Sequence, residues 1–346
     1  MDERLALPDS HPRIVFLLGL QRCGSTWLAN IFDSSPETLC FMEPFSRDDG
    51  IFKMLPDSML FLNGDCPPGK EQLAHDFLCR LVNAKRIFTN QSIYSPFRFV
   101  VEKRLATLLS RVPWPRLQAR IHTARHINFN RFASYAPLVA KNRAPSVYFI
   151  KELRLYGKIP WIRQWFPSAK ILCLIRHPCT LVDSVLRWFQ RGRLVELKHD
   201  ISMITEVLSA QKIGARYQEL IAQCQGDDPV KRISLLWRVA YETMAQQLAG
   251  DPAGQVLYHE DFCLEPEKET RKLFGYTGVP LGPETVNYIR RSTQSARESS
   301  GVTETLRHSC RHVQERRGAV DPAIESAVMS IVGDSPLMRH YEPTAE

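Results

Sequence analysis

The chain has 346 residues, of which 44% are hydrophobic and 24% are charged, and its formal net charge is +8. This length allows one large domain or two small ones around a buried core, and the composition is that of an ordinary globular protein. The positive charge suits an anionic ligand, but a nucleic acid or an acidic membrane would suit it equally, so charge alone excludes none of them.

The first apolar run, residues 14–20, is too short to span a membrane or to act as a signal peptide, so no membrane span is expected. The nine cysteines are scattered and include no C-x-x-C pair. This pattern favours a reducing compartment and provides no framework for zinc. A cytoplasmic protein is therefore expected.

Short apolar runs alternate with helical patterns along the chain. Residues 14–20 form an unbroken run rich in branched side chains, which predicts a buried strand, and residues 26–32 have helical periodicity. Further strands are predicted at 147–150, 169–176 and 255–258, with helices starting at Pro178 and spanning 266–274. The alternation predicts an α/β fold, with a mainly parallel central sheet and helices on both faces. Ligands of such sheets bind beyond the carboxyl ends of the strands.

A strongly basic segment interrupts this alternation. Residues 50–145 show no clear strand pattern, and between Lys85 and Arg143 the segment combines many arginines with interleaved aromatic side chains and Glu102 as its only acid. We interpret it as a helical insertion beside the site. The expected organisation is a single domain, with a core over 14–45 and 145–280 and a helical or loop region over 281–346.

Residues 19–26 follow a predicted strand and open a helix with the spacing of a P-loop, but Ser25 stands where a P-loop has its lysine. A glycine turn there aims backbone N–H groups at an anion, and the helix N-terminus adds partial positive charge. Arg22 supplies a cation at another place, which favours a phosphate chemistry other than ATP–magnesium. The alternative is a turn that binds nothing. Trp27 is interpreted as core packing, with adenine contact as the alternative.

A second anion site is predicted at the end of the strand over 169–176. Arg176 ends that strand, Pro178 occupies a favoured first helical position, and Ser184 follows about two helical turns later. Arg176 and Ser184 can therefore turn toward the same space and clamp a phosphate monoester. The alternative is an arginine that caps the sheet edge and a serine bonded within its own helix.

Two anion loops in this order, the first a P-loop without its lysine, resemble the sulfotransferases that use 3′-phosphoadenosine-5′-phosphosulfate (PAPS). Three more stretches are similar to motifs of that family, at 41–45, 149–154 and 257–266. The resemblance covers about residues 14–280, and the bacterial, carbohydrate-type and tyrosylprotein branches are the most similar in style. It implies a three-layer, P-loop-like fold.

The resemblance also implies roles for the donor-binding residues. Arg22 would hold the 5′-phosphosulfate together with the N–H groups of the loop, and Arg176 and Ser184 would hold the 3′-phosphate. The loop and the start of its helix contribute the remaining nucleotide-binding candidates, which are Cys23, Gly24, Ser25, Thr26 and Trp27.

The implied reaction is in-line transfer of a sulfuryl group to a hydroxyl or amine of a glycan, peptide or small metabolite, without a metal. Glu43 would be the general base, and Lys151 would contact the bridging oxygen or the sulfate. A capping or salt-bridged glutamate is the alternative for Glu43. The histidines that could replace it as base are His122, His126 and His177.

A C-terminal group of arginines lies where family members close a loop over the nucleotide, although a solvated basic helix would explain it equally. The group consists of Arg291, Arg297, Arg307 and Arg311.

Two other classes of protein remain open on the sequence. A P-loop nucleotide kinase or ATPase would require a lysine at position 25 and an aspartate ending a strand for magnesium, and neither is present. A nucleic-acid-binding protein would use the basic, aromatic insertion, with steep salt dependence. No helix-turn-helix, RRM or zinc pattern supports that class, so no nucleic-acid partner is expected. The acceptor and the oligomeric state are left open.

Overall fold

The computed structural model describes residues 13–43, 146–153, 155, 157–192, 195–210, 212–294, 313 and 318–342. The predicted insertion over 50–145 lies outside these ranges, as do His122, His126, Arg297, Arg307 and Arg311.

Within the described ranges, five parallel strands form one sheet in the spatial order β2-β3-β1-β4-β5. The strands are β1 (Arg13–Leu18), β2 (Thr38–Met42), β3 (Val147–Glu152), β4 (Lys170–Ile175) and β5 (Gly254–Tyr258). β1 is central because it pairs with β3 on one side and with β4 on the other. Its run Ile14–Leu18 is buried, as expected of a strand that is covered on both faces.

Eleven α-helices surround the sheet in the described part of the chain. They are α1 (Ser25–Ser34), α2 (Ile159–Trp165), α3 (Pro178–Gln190), α4 (Val195–Ser202), α5 (Ile204–Ala210), α6 (Gln218–Gln223), α7 (Pro229–Leu248), α8 (His259–Leu264), α9 (Pro266–Thr277), α10 (Pro283–Thr293) and α11 (Pro322–Val332). Two 3₁₀ helices cover Lys212–Tyr217 and Pro336–Tyr341.

Proline and aspartate define several helix starts. Five helices, α3, α7, α9, α10 and α11, begin at a proline, whose fixed φ suits the first helical position. Asp228 also caps α7 by accepting a hydrogen bond from the Val230 N–H at 2.9 Å. Asp321 does the same for α11 by accepting from the Ala323 N–H at 2.8 Å.

Helices cover both faces of the sheet. Residues that lie opposite each other on neighbouring strands point to the same face of a sheet. Phe149 lies opposite Val15 on one side and Cys40 on the other, so these three side chains share a face. Phe149 stacks on Phe32 of α1, with ring centroids 4.1 Å apart, so α1 covers this face. The opposite face includes Cys173, whose sulfur lies 3.8 Å from that of Met244 on α7. The predicted α/β fold, with a parallel sheet between two helical layers, is confirmed.

β2 and α7 are among the elements that were not predicted from the sequence. β2 follows α1 after a short turn and is five residues long. It ends just before Glu43 and Pro44, the pair on which the interpretation of residues 41–45 was based. α7 is the longest described helix, with 20 residues, and is buried over most of its length. Its start could have been found, because Asp228 followed by Pro229 is a strong helix-start signal.

Candidate functional site

The residues predicted to carry function meet at one edge of the sheet. The loop 19–24 follows β1, Arg176 follows β4, Lys151 lies near the end of β3, and Glu43 follows β2. Because the strands are parallel, their carboxyl ends share this edge, which is where open α/β sheets bind ligands.

The first loop delivers the N-terminus of α1 to this edge. Gly24 precedes the helix with φ 97°, a left-handed conformation that glycine adopts without strain. A Cβ at Gly24 would lie 2.3 Å from Nδ1 of His259, so the position also needs the absence of a side chain. Ser25 and Thr26 occupy the first turn of α1, where N–H groups have no partner within the helix and can bind an anion.

The side chain of Tyr241, on α7, supports the loop through a hydrogen bond. The Tyr241 hydroxyl accepts a hydrogen bond from the Leu20 N–H at 3.2 Å, and the Tyr241 side chain is fully buried. Cys23 is also fully buried, and burial raises the pKa of its thiol, with hydrogen bonds from Ser25 acting in the opposite direction. The Cys23 side chain therefore belongs to the support of the loop, and the Cys23 N–H donates to the Leu20 carbonyl at 3.2 Å.

The two predicted anion loops are joined by direct contacts. Arg22 Nε donates to Ser184 Oγ at 3.2 Å, and Arg176 Nη1 donates to the Arg22 carbonyl at 2.9 Å. Arg176 Nε also donates to Thr180 Oγ1 at 3.1 Å, which orients the guanidinium. The structure therefore brings Arg22, Arg176 and Ser184 together, although they come from three different elements of the fold.

Trp188 forms a platform beside these arginines. The Arg22 guanidinium carbon lies 4.3 Å from the centre of the Trp188 ring, within the range of a cation–π contact. Trp188 was not identified from the sequence. It follows Ser184 by one helical turn on α3, so its proximity to Ser184 could have been inferred once Ser184 was selected.

Glu43 and Lys151 form an ion pair at the other end of the site. The Glu43 N–H also donates to the Lys151 carbonyl at 2.7 Å, so backbone and side chain hold the same pair. Lys151 is 2% exposed, whereas the Glu43 side chain is 34% exposed. Glu43 therefore forms a salt bridge, as the alternative interpretation of this residue proposed. Its partner, Lys151, is itself one of the predicted site residues.

Backbone strain also concentrates here. Among the described non-glycine residues, the two with positive φ are Arg22, at 72°, and Glu43, at 50°. Such conformations cost about 1–3 kcal/mol for ordinary residues and cluster at functional sites, where the surroundings hold them in place. Both residues belong to the predicted site.

Three other residues considered from the sequence, Trp27, His177 and Arg291, make none of the contacts described above between the two anion loops. Trp27 is 8% exposed and its Nε1 donates to Ser292 Oγ at 3.1 Å, which is the core-packing position expected for it. His177 is 6% exposed, and its ring packs edge-on against Tyr341. Arg291 lies exposed on α10.

Two further supporting residues were not predicted from the sequence. Tyr241 and Glu260 reach the anion loops from positions far along the chain, Tyr241 through Leu20 and Glu260 through the His177 N–H at 3.1 Å. Tyr241 lies inside an amphipathic helix with no local motif. Glu260 was part of the stretch 257–266, but nothing in the sequence indicated which loop it contacts.

In the part of the chain that the structure describes, no helix has the length and apolar character needed to cross a membrane.

Comparison with known proteins identifies the family. A model of the sulfotransferase family matches residues 12–235, which is more than half of the chain. The chain therefore belongs to the sulfotransferase family, and its parallel α/β sheet carries the candidate anion site at the carboxyl ends of the strands.

Individual relatives are distant. Carbohydrate sulfotransferase 3 of Rattus norvegicus is 28% identical over 75 residues, covering 22% of this chain and 16% of the relative, and the protein of Homo sapiens is 27% identical over 83 residues, covering 24% and 17%. The match thus spans less than one fifth of these relatives. A solved sulfotransferase domain from the curacin biosynthetic pathway is 14% identical, with a TM-score of 0.43 and coverage of 93% of this chain and 96% of that one.

Proposed function

We propose that the protein transfers a sulfuryl group from PAPS to an acceptor hydroxyl or amine. The observation that carries this proposal is the joining of the two anion loops, in which Arg22 contacts Ser184 and Arg176 contacts the Arg22 carbonyl. A ligand that bears one phosphate on each side of a ribose would satisfy both loops at once, and membership of the sulfotransferase family supports PAPS as that ligand.

The residues present fit such a donor. Arg22, Arg176, Ser184 and the first-turn N–H groups of α1 are cations or hydrogen-bond donors, which is the set that phosphate oxygens require. Thr180 and Trp188 keep the two guanidinium groups oriented, so little conformational entropy remains to be lost on binding. We assign the 5′-phosphosulfate to Arg22 and the loop, and the 3′-phosphate to Arg176 and Ser184.

PAPS, when bound, supplies an activated sulfuryl group on a phosphate leaving group. Glu43 accepts the proton of the acceptor hydroxyl as the general base, and its exposure of 34% leaves it accessible to an acceptor. The buried Lys151 ammonium holds the Glu43 carboxylate in place and offers positive charge to the sulfate and the bridging oxygen. Catalysis then depends on positioning and electrostatics.

Glycan hydroxyls are the first acceptors to test, because the curated relatives are carbohydrate sulfotransferases. Peptides and small metabolites are the other acceptor classes. The cytoplasm is the proposed compartment, because the scattered cysteines without a C-x-x-C pair favour a reducing environment.

The function is tested by incubating the protein with radiolabelled PAPS and a panel of glycan, peptide and phenolic acceptors. We expect labelled product with at least one acceptor class and none without enzyme. ATP with magnesium should give no phosphorylated product. Phosphoryl transfer from ATP, with no sulfuryl transfer to any class, would instead make the protein a nucleotide kinase.

A further inference from the structure

The peptide group between Arg176 and His177 is held from both sides by side chains of distant elements. The Trp237 indole Nε1, on α7, donates to the Arg176 carbonyl at 2.9 Å. On the other side, Glu260 Oε1 accepts from the His177 N–H at 3.1 Å. Because this carbonyl and this N–H belong to one planar peptide group, the two contacts together fix its orientation.

The orientation of this peptide group sets how the strand end that carries Arg176 is placed relative to α3. Arg176 follows β4 and Pro178 begins α3. A change in this peptide group would therefore shift Arg176 relative to Thr180 and Ser184 of α3. In the observed orientation the guanidinium reaches the Arg22 carbonyl and Thr180. The contacts of Trp237 and Glu260 therefore support the clamp assigned to the 3′-phosphate.

Glu260 is in turn held by the C-terminal segment. The Tyr341 hydroxyl, at the end of the 3₁₀ helix Pro336–Tyr341, donates to Glu260 Oε2 at 3.3 Å. The Tyr341 ring also packs edge-on against His177, with centroids 4.7 Å apart. The two oxygens of one carboxylate thus connect the turn after β4 with the C-terminal segment.

A carboxylate beside Arg176 has a cost for a site that binds anions. Burial raises the pKa of Glu260, whereas the charge of Arg176 and the hydrogen bond from His177 lower it. Its negative charge repels a phosphate, so the benefit of Glu260 must come from the hydrogen bonds that it accepts. A glutamine of the same shape can accept from the His177 N–H with its Oε1 and donate to the Tyr341 hydroxyl with its Nε2, without the repulsion.

We propose that Glu260, held by Tyr341, is a positioning residue for recognition of the 3′-phosphate, acting through the His177 N–H on Arg176. The inference rests on the proposed function, because it assigns the phosphate at Arg176 to a nucleotide donor. It adds a residue of α8 and one of the C-terminal segment to the residues that determine donor specificity.

The test measures the dissociation constants of 3′-phosphoadenosine-5′-phosphate and AMP by calorimetry. The readout is the dissociation constant of AMP divided by that of the bisphosphate, which isolates the contribution of the 3′-phosphate. For Glu260→Ala we expect this ratio to fall about tenfold, as for loss of a hydrogen bond that orients a charged group. Glu260→Gln should retain the wild-type ratio or exceed it. Tyr341→Phe should lower the ratio less than Glu260→Ala, and gives the same readout if Glu260→Ala yields little folded protein.

Asp251→Ala is the matched control. Asp251 accepts from the Ala253 N–H at 2.8 Å and pairs with Arg163, so it resembles Glu260 chemically but lies just before β5, at the other end of the strand. It should lower thermal stability and leave the ratio unchanged. A reduced ratio in Asp251→Ala, or an equal loss in Glu260→Gln and Glu260→Ala, would contradict positioning by the hydrogen bonds.

Different results would overturn the proposed donor and the role of Glu260. A wild-type protein without preference for the bisphosphate would overturn the proposed donor and this inference with it. A wild-type preference that survives in both Glu260→Ala and Tyr341→Phe would overturn the role of Glu260 alone.

Discussion

Arg22 and Glu43 combine a positive φ with a side chain that contacts another site residue. Arg22 reaches Ser184 and Trp188, and Glu43 reaches Lys151. Spacing was sufficient to select Arg22, Arg176 and Ser184 from the sequence, because a P-loop and a strand-to-helix turn are local patterns. Tyr241 and Glu260 act through contacts between distant segments, which no local pattern encodes.

The role of Glu43 gives a prediction about the chemical step. Glu43→Gln keeps the size of the side chain but cannot accept a proton, so we expect kcat to fall by about 10²–10⁴. Binding of 3′-phosphoadenosine-5′-phosphate should change less than threefold, roughly half a kcal/mol, because the donor is assigned to other residues. Steady-state kinetics and calorimetry on the same preparation measure both. A variant that keeps wild-type kcat would remove Glu43 from the role of base.

At the level of elements, the loop 19–24 requires a glycine at position 24 for two separate reasons. Gly24 has φ 97°, and His259 fills the space that its Cβ would need. Gly250, between α7 and β5, has φ 76°, and an added Cβ there would meet no described atom within 4 Å. Comparing alanine substitutions at Gly24 and Gly250 therefore separates the free-energy cost of a left-handed backbone from the cost of the clash with His259.

Gly24→Ala should therefore weaken nucleotide binding far more than Gly250→Ala. In each variant an alanine must adopt a positive φ, which lowers the free energy of unfolding by about 1 kcal/mol or more. We therefore expect similar small losses of stability in the two variants from this cause. The clash with His259 should in addition displace the loop and lower the affinity for AMP at least tenfold, or about 1.4 kcal/mol. Thermal melts and calorimetry provide the comparison. Equal AMP affinity in the two variants would contradict the assigned loop.

The C-terminal segment that carries Tyr341 is attached to α7 by ionic contacts. Arg238 donates to the Ile331 carbonyl at 2.7 Å, pairs with Glu242 at 3.1 Å, and binds both carboxylate oxygens of Asp334. A hydrogen bond from Arg238 lowers the pKa of Asp334, although burial acts against it. The Asp334 side chain is 78% exposed, so the pair is screened by solvent.

Asp334→Asn should reduce stability in a manner that depends on pH. A lowered folded-state pKa contributes stability above the usual range of an aspartate, and this contribution is lost as pH falls through the lowered pKa. We expect a deficit of about 0.5–1 kcal/mol at pH 7 that shrinks as the pH is lowered. Denaturant unfolding of variant and wild type at several pH values tests this. A deficit that is constant with pH would contradict the role of the charge.

At the scale of the whole molecule, the parallel order of the sheet assembles the site. Five segments separated along the chain end at one edge because every described strand points the same way. The α/β alternation and four of the strands could be predicted from apolar runs and turn residues. β2 was not predicted, because residues 41–45 were interpreted as a motif and not as the end of a strand. The contact of the C-terminal segment with Glu260 depends on tertiary structure, which no local pattern encodes.

The proposed donor site binds a nucleotide with phosphates at both the 3′ and 5′ positions, and calorimetric titration is the most direct test of it. Wild type and Arg176→Ala are titrated with 3′-phosphoadenosine-5′-phosphate, AMP and ATP–magnesium. We predict that wild type binds the bisphosphate most tightly and that Arg176→Ala loses about ten- to hundredfold for that ligand alone, as for a charge-assisted hydrogen bond. Tighter binding of ATP–magnesium, or no binding of any of the three, would contradict the sulfotransferase donor site.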